Sequence, residues 1–168
     1  MIHRISEGIP PSDAKLLVID YRRQLLGECP ATHLAGYAST KQDVQEFISQ
    51  LVPLLESRMP AGVDDPQTLR DRSWWKGPDI FLVVDDYDLV ATSSGNPLQG
   101  LLELLPYGRD IGLHMVVARR CTGFSRTSFE PIMARLRELH PTIFLMSGTA
   151  EEGIICLLYT SDAADDSL

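Results

Sequence analysis

The chain has 168 residues, which suffices for one domain with a sizeable core, and 44% of them are hydrophobic. Its net charge of −8 argues against a broad nucleic-acid-binding surface, because such surfaces are usually basic. No apolar run approaches the roughly 20 residues that cross a bilayer, and the first residues lack the pattern of a signal peptide. The three cysteines have no metal-binding spacing, which indicates free thiols in a reducing compartment.

Predicted strands and helices alternate along the chain, which favours an α/β fold with a mostly parallel sheet. The pattern predicts a helix over residues 1–7, a strand over 15–20, a loop through 37, and a helix capped by Thr40 with Asp43. A short helix over 67–72, a strand over 79–85, a helix over 97–107 and a strand over 113–118 follow. A helix over 128–139 and a strand over 142–146 complete the order. His114 lies within an apolar strand, which favours a core histidine over a ligand.

The most informative segment is the apolar run over residues 80–84, which ends in Asp85 and Asp86. Such a run suits a central parallel strand, and ligands of open α/β sheets bind at the carboxyl ends of these strands. The pattern is that of a Walker B element, whose carboxylate lies beside the Mg²⁺ of a bound nucleotide. The alternative is a buried strand whose acids only begin a turn. The phosphate-binding motif Gly-x-x-x-x-Gly-Lys-Ser/Thr, which would decide between them, does not occur in the sequence.

Three of the predicted strands end in charged residues. In a parallel sheet these ends share one edge, so acids and arginines are expected to converge there, an arrangement that suits Mg²⁺ and phosphate. The residues are Asp20 with Arg22 and Arg23, Asp85 with Asp86, and Arg119 with Arg120.

Five segments, in the same order, resemble the EccC-type ATPases of type VII secretion, which are motors of the FtsK/SpoIIIE kind. They are Asp-Tyr-Arg-Arg at 20–23, Ser-Trp-Trp at 73–75, Val-Val-Asp-Asp-Tyr-Asp-Leu-Val at 83–90, Gly-Arg-Asp-Ile-Gly-Leu-His at 108–114 and Ala-Arg-Arg at 118–120. The resemblance covers nearly all of residues 1–153 and is strongest to the C-terminal ATPase domain of these proteins.

The resemblance implies a RecA-like P-loop NTPase core that uses ATP and Mg²⁺. It makes Asp85 the Mg²⁺ ligand and puts Asp86 at the position that activates the attacking water, where the most active members carry Glu. A shorter Asp is expected to slow hydrolysis. By the same resemblance, Arg119 and Arg120 follow the strand that carries the phosphate sensor, and residues 20–23 lie near the nucleotide.

The partners that the resemblance implies are secreted substrates of the Esx/WXG type and the other ATPase domains of the motor. Nucleic acid is not expected. The implied location is cytoplasmic, at the inner face of the membrane, with membrane contact only through the full-length complex. One alternative is a degenerate nucleotide site that serves as a substrate-docking module, and a weaker one is an FtsK-type DNA translocase.

Both ends of the sequence depart from the family pattern. In the family a P-loop directly precedes a helix like that over residues 1–7, so we expect Met1 to be an internal methionine and the core to be incomplete, without its P-loop strand. Residues 1–155 are then a partial ATPase domain that is inactive by itself. Residues 156–168 resemble the translation of a sequencing adaptor, which favours a non-native tail over a natural acidic one.

Overall fold

The computed structural model describes residues 2–120, 130–144 and 146. The chain divides into two compact units, Met1–Arg119 and Arg120–Leu168. The first unit contains helix α1 (Ile2–Gly8), strands β1 (Ala14–Ile19) and β2 (Leu34–Ala38), helices α2 (Lys41–Glu56) and α3 (Pro66–Asp71), strand β3 (Asp79–Val84), helices α4 (Tyr87–Val90) and α5 (Gly108–Ile111), and strand β4 (Leu113–Val117). The second unit contains helix α6 (Pro131–Glu138).

Within the described residues, four strands form one parallel sheet in the order β2-β1-β3-β4. The two central strands, β1 and β3, are nearly continuous apolar runs, as expected for strands covered on both faces. The α/β fold and the parallel sheet that the sequence predicts are therefore confirmed.

Helices cover both faces of the sheet. Ile2 and Ile5 of α1 pack in one core with Leu16 and Val18 of β1. Because successive side chains of a strand point to opposite faces, Leu17 faces the other side. There it lies beside Gly36 of β2, close to the Phe47 ring of α2. A methyl group on Gly36 would come within 2.6 Å of that ring, so this glycine allows α2 to approach the sheet.

The first turn of α2 is fixed by the predicted capping box. The amide of Asp43 donates to the Thr40 hydroxyl at 3.2 Å, and the amide of Thr40 donates to the Asp43 carboxylate at 2.9 Å. This arrangement satisfies two amide groups that the helix itself leaves unpaired. The buried face of α2 carries Val44, Ile48, Leu51 and Leu55.

Three predictions of secondary structure are wrong. The predicted loop through residue 37 contains strand β2, whose sequence Leu-Ala-Gly-Tyr-Ala lacks the β-branched residues typical of strands. The predicted helix over residues 97–107 is two short 3₁₀ helices, Gln99–Leu101 and Leu105–Tyr107, the second with Pro106 in its first turn. Residues 142–144 and 146, within the predicted strand over 142–146, are not in a strand.

In the second unit, α6 begins after Glu130, whose carboxylate accepts from the amide of Met133 at 3.1 Å. It ends at Glu138, one residue before the predicted end, while residues 128 and 129 of the prediction lie outside the described residues. The predicted tail at 156–168 also lies outside them. Among the described helices, none is both long enough and apolar enough to cross a membrane.

Candidate functional site at the carboxyl-terminal edge of the sheet

The strand register brings the predicted acids together. Ile19 of β1 pairs with Val84 of β3, and Val84 pairs with Val117 of β4. Asp20 and Asp85 are the next residues of their strands, and the amide of Asp85 donates to the carbonyl of Ile19 at 2.9 Å. The two carboxylates therefore lie at the same edge of the sheet, which we call the carboxyl-terminal rim.

Asp20 is fully buried, and the chain itself binds its carboxylate. Its Oδ2 accepts from the Tyr37 hydroxyl at 2.7 Å and from the amide of Leu25 at 2.6 Å. Its Oδ1 is buried without a hydrogen-bond partner among the described residues. Burial pushes the pKa of Asp20 upward, but the hydrogen bonds from Tyr37 and from the amides that follow outweigh it, so the pKa lies below its usual value.

At Asp85 the balance is the reverse of that at Asp20, because burial and the other upward contributions raise its pKa by more than the backbone hydrogen bond from Asp86 lowers it. Partial burial raises its pKa above the usual value, and the negative charges of Asp86 and Asp20 raise it further. The carboxylates thus create a negative potential at the rim that the nearby Arg22 offsets only in part. A bound divalent cation would neutralise this negative charge.

Asp86 follows directly and has left-handed backbone geometry, with φ 45° and ψ 55°. This conformation is uncommon outside glycine, although Asp and Asn adopt it more readily than most residues. Here it turns the chain from β3 into α4. The Asp86 carboxylate accepts from Nη1 of Arg22, in the loop after β1, at 3.2 Å.

The other predicted arginines have different positions. Nη2 of Arg119, just after β4, donates to the Asp88 carboxylate at 2.9 Å, and the Arg119 side chain is only 9% exposed. Arg23 has a positive φ of 57° and is exposed. Arg120 is exposed and begins the second unit. The rim of the first unit therefore gathers Asp20, Asp85, Asp86, Arg22 and Arg119.

A cavity of about 250 Å³ opens beside Asp85, between the rim and α1. Its wall is mostly apolar and includes Ile2, Leu25, Val83 and Val116. The polar residues that line it are Asp85, Glu28 and His3, of which Glu28 and His3 bind each other at 3.0 Å. These two carboxylates and one imidazole bind phosphates poorly by themselves, because carboxylates repel the negative charge of a phosphate.

The rim fits Mg²⁺ better than it fits phosphate. Magnesium is bound in proteins by one or two carboxylates, with water and substrate oxygens completing its six ligands. Asp85 with its neighbouring acids meets that need. Among the described residues, no group of three or more His, Cys, Asp or Glu side chains could hold a metal ion by itself. Of the rim residues, Arg22 and Arg119 carry the N–H donors that suit phosphate oxygens.

Two residues that matter at the rim were missed by the sequence analysis. Tyr37 lies in the unpredicted strand β2, and Asp88 lies in helix α4, which was not predicted either. His114 was predicted to be a buried core histidine, and this prediction is wrong because its side chain is partly exposed. Its side chain is 40% exposed at the opposite end of the sheet, bonded to Asp79 at 2.9 Å and stacked on Phe81.

A parallel sheet with helices on both faces and acids at its carboxyl-terminal edge is the arrangement of nucleotide-binding α/β domains. Comparison with solved structures defines the class further. The chain is similar to Thermomonospora curvata EccC (ATPases 2 and 3) in complex with a signal sequence peptide, with a TM-score of 0.84 and 44% identity, over 89% of this chain and 27% of that one. The fold is thus RecA-like, as predicted.

Curated relatives give the same result. The chain is 53% identical over 142 residues to the ESX-4 secretion system protein EccC4 of Mycobacterium tuberculosis, and 44% identical over 151 residues to the ESX secretion system protein EccC of Thermomonospora curvata. These matches cover 84% and 90% of this chain but only 12% and 11% of the relatives. No protein-family model matches it. The chain belongs to the EccC ATPases of type VII secretion, and it spans about one eighth of their length.

Proposed function

We propose that the chain supplies the metal-binding side of an ATP site in a type VII secretion motor. The complete protein would bind ATP with Mg²⁺ and couple ATP binding and hydrolysis to the export of small helical proteins of the Esx/WXG type. It would do so in the cytoplasm, at the inner face of the membrane, together with other ATPase domains of the motor. The observation that carries the proposal is the convergence of Asp20, Asp85 and Asp86 at the carboxyl-terminal rim, in a chain 53% identical to an EccC protein.

Each rim residue has a distinct part in this proposal. Asp85 would bind the Mg²⁺, which would neutralise negative charge that develops on the phosphates. Asp86 would orient the attacking water through its carboxylate. Because an Asp is one methylene shorter than the Glu of the most active family members, we expect slow hydrolysis. Arg22 and Arg119 would serve the phosphates at the rim, Arg23 would do so from the same loop as Arg22, and Asp20 would order that loop.

A second candidate function is the docking of secretion signals without catalysis. The observation that favours it is the solved structure of the Thermomonospora curvata relative, which was determined in complex with a signal sequence peptide. The short Asp86 side chain also agrees with a nucleotide site of low activity. No observation favours the DNA-translocating alternative, and the net charge of −8 disfavours it.

Peptide titration on a complete domain separates the two candidates. A labelled C-terminal peptide from an Esx-type protein is titrated with and without Mg·ATP, and ATP turnover is measured in parallel for the unchanged protein and for Asp85→Ala. The motor proposal predicts turnover that Asp85→Ala abolishes. Peptide binding that is independent of nucleotide, together with no turnover in the unchanged protein, would favour docking.

A further inference from the structure

The contact between Arg22 and Asp86 joins two segments that are 64 residues apart in sequence. Arg22 belongs to the loop after β1, and Asp86 to the turn after β3. The Arg22 side chain is 56% exposed and that of Asp86 is 22% exposed. The pair therefore lies at the surface of the rim, where a bound anion could reach the guanidinium group.

Both segments are held in place on the protein side. The loop after β1 is fixed by Asp20, which accepts from the Leu25 amide and from the Tyr37 hydroxyl. The turn after β3 is fixed by a backbone bond of 2.9 Å from the Tyr87 amide to the Ala118 carbonyl. The Arg22–Asp86 pair is thus a partly exposed side-chain contact between two anchored segments, so it can open without unfolding either of them.

We propose that Arg22 and Asp86 form a latch that phosphate opens. While the latch is closed, the Arg22 guanidinium group donates a hydrogen bond to the Asp86 carboxylate, which is then not available to a water molecule. A phosphate group of an incoming nucleotide binds the same guanidinium group, since Arg binds phosphates and carboxylates with the same planar fork of N–H donors. Asp86 is then released to orient water. The latch couples the release of Asp86 to the arrival of phosphate, and it rests on the proposed nucleotide site.

The latch predicts that phosphate and Asp86 compete for Arg22. The ¹⁵N-labelled 168-residue chain is titrated with tripolyphosphate in EDTA, and binding is followed by the Nε–Hε NMR signal of Arg22, which is assigned by its loss in Arg22→Lys. In Asp86→Asn the competitor is removed, so tripolyphosphate is expected to bind about two- to fivefold more tightly, as much as an exposed ion pair contributes. Asn tolerates left-handed backbone geometry, so this variant keeps the turn.

Glu28→Gln is the matched control. It removes one negative charge from the same loop, but Glu28 binds His3 and not Arg22. A tightening in Asp86→Asn that clearly exceeds the change in Glu28→Gln supports the latch. Equal changes in the two variants would overturn it, because they would reflect net charge alone. An Arg22 signal that does not move with tripolyphosphate in either protein would also overturn it. The titration contains no metal, so its failure is distinct from a failure of Asp85 to bind metal.

Discussion

The hydroxyl of Tyr37 donates a hydrogen bond of 2.7 Å to Oδ2 of Asp20, and this contact joins the end of β2 to the end of β1. Burial, together with the bond to Asp20, raises the pKa of Tyr37 to about 12, so the hydroxyl remains a donor throughout the physiological range. The same bond helps to keep the fully buried Asp20 ionised. An edge strand that the sequence analysis missed thus stabilises one of the acids that it predicted.

Removal of the Tyr37 hydroxyl is expected to destabilise the chain. Tyr37→Phe leaves the buried carboxylate with one donor fewer, and a hydrogen bond to a charged group contributes about 1.5–3 kcal/mol. The free energy of unfolding, measured with urea, should fall by an amount in that range. Tyr107→Phe is the control, because the Tyr107 side chain is 44% exposed and its replacement should change stability by no more than about 0.5 kcal/mol. Similar losses in both variants would contradict the assignment.

Acid should destabilise the chain partly through Asp20. Its pKa is lower in the folded chain than in the unfolded chain, so the unfolded state binds the proton more readily. The resulting stability is fully present above the unfolded pKa and is lost as the pH falls through the folded pKa. Unfolding free energies measured from pH 6 down to pH 2 should decline less steeply in Tyr37→Phe than in the unchanged protein. Parallel curves would show that Tyr37 does not lower the pKa of Asp20.

The turn before β4 depends on glycine at position 112. Gly112 has a φ of 70°, and an added methyl group would lie 2.6 Å from both the Trp75 ring and Oδ1 of Asp79. We expect Gly112→Ala to lower the free energy of unfolding by about 1–3 kcal/mol from backbone strain, and by more if the ring cannot move. Gly8→Ala is the control, because no atom lies within 4 Å of its added methyl group. Comparable thermal unfolding of the two variants would be evidence against this packing.

The chain by itself is expected to show no ATP turnover. Its sequence contains no Gly-x-x-x-x-Gly-Lys-Ser/Thr motif, so the donors that would bind and orient the phosphates are missing. Phosphate release measured with millimolar Mg·ATP should equal that of the buffer. Turnover that Asp85→Ala abolishes would show that the rim residues form a working site without the motif.

The sequence predicted the central part of the fold well and its edges poorly. Strands β1, β3 and β4 were predicted to within one residue, because each is a mostly apolar run that is followed by charged residues. Strand β2 was missed because Ala35, Gly36 and Ala38 are small residues with low strand propensity. At Gly36 the Phe47 ring of α2 comes so close that a larger residue would not fit.

Within the site, the alternation of strands and helices was enough to predict that Asp20 and Asp85 share an edge. The pairing of Arg22 with Asp86 and of Arg119 with Asp88 could not be predicted in the same way. The first pair depends on the left-handed backbone at Asp86, which a sequence pattern does not specify. The Arg119–Asp88 pair depends on the position of Arg119, two residues after the end of β4, relative to Asp88 in α4.

Manganese binding at the rim tests the central claim most directly. Paramagnetic Mn²⁺ replaces Mg²⁺ and broadens the NMR signals of amides near the bound ion. We predict that Mn²⁺ broadens the amide signals of Asp85 and its neighbours in the 168-residue chain. Asp85→Asn should abolish this broadening, and Asp13→Asn, which changes an exposed acid just before β1 at the opposite end of the sheet, should leave it intact. Broadening that persists in Asp85→Asn, or that is centred elsewhere, would contradict the claim that Asp85 is the metal ligand.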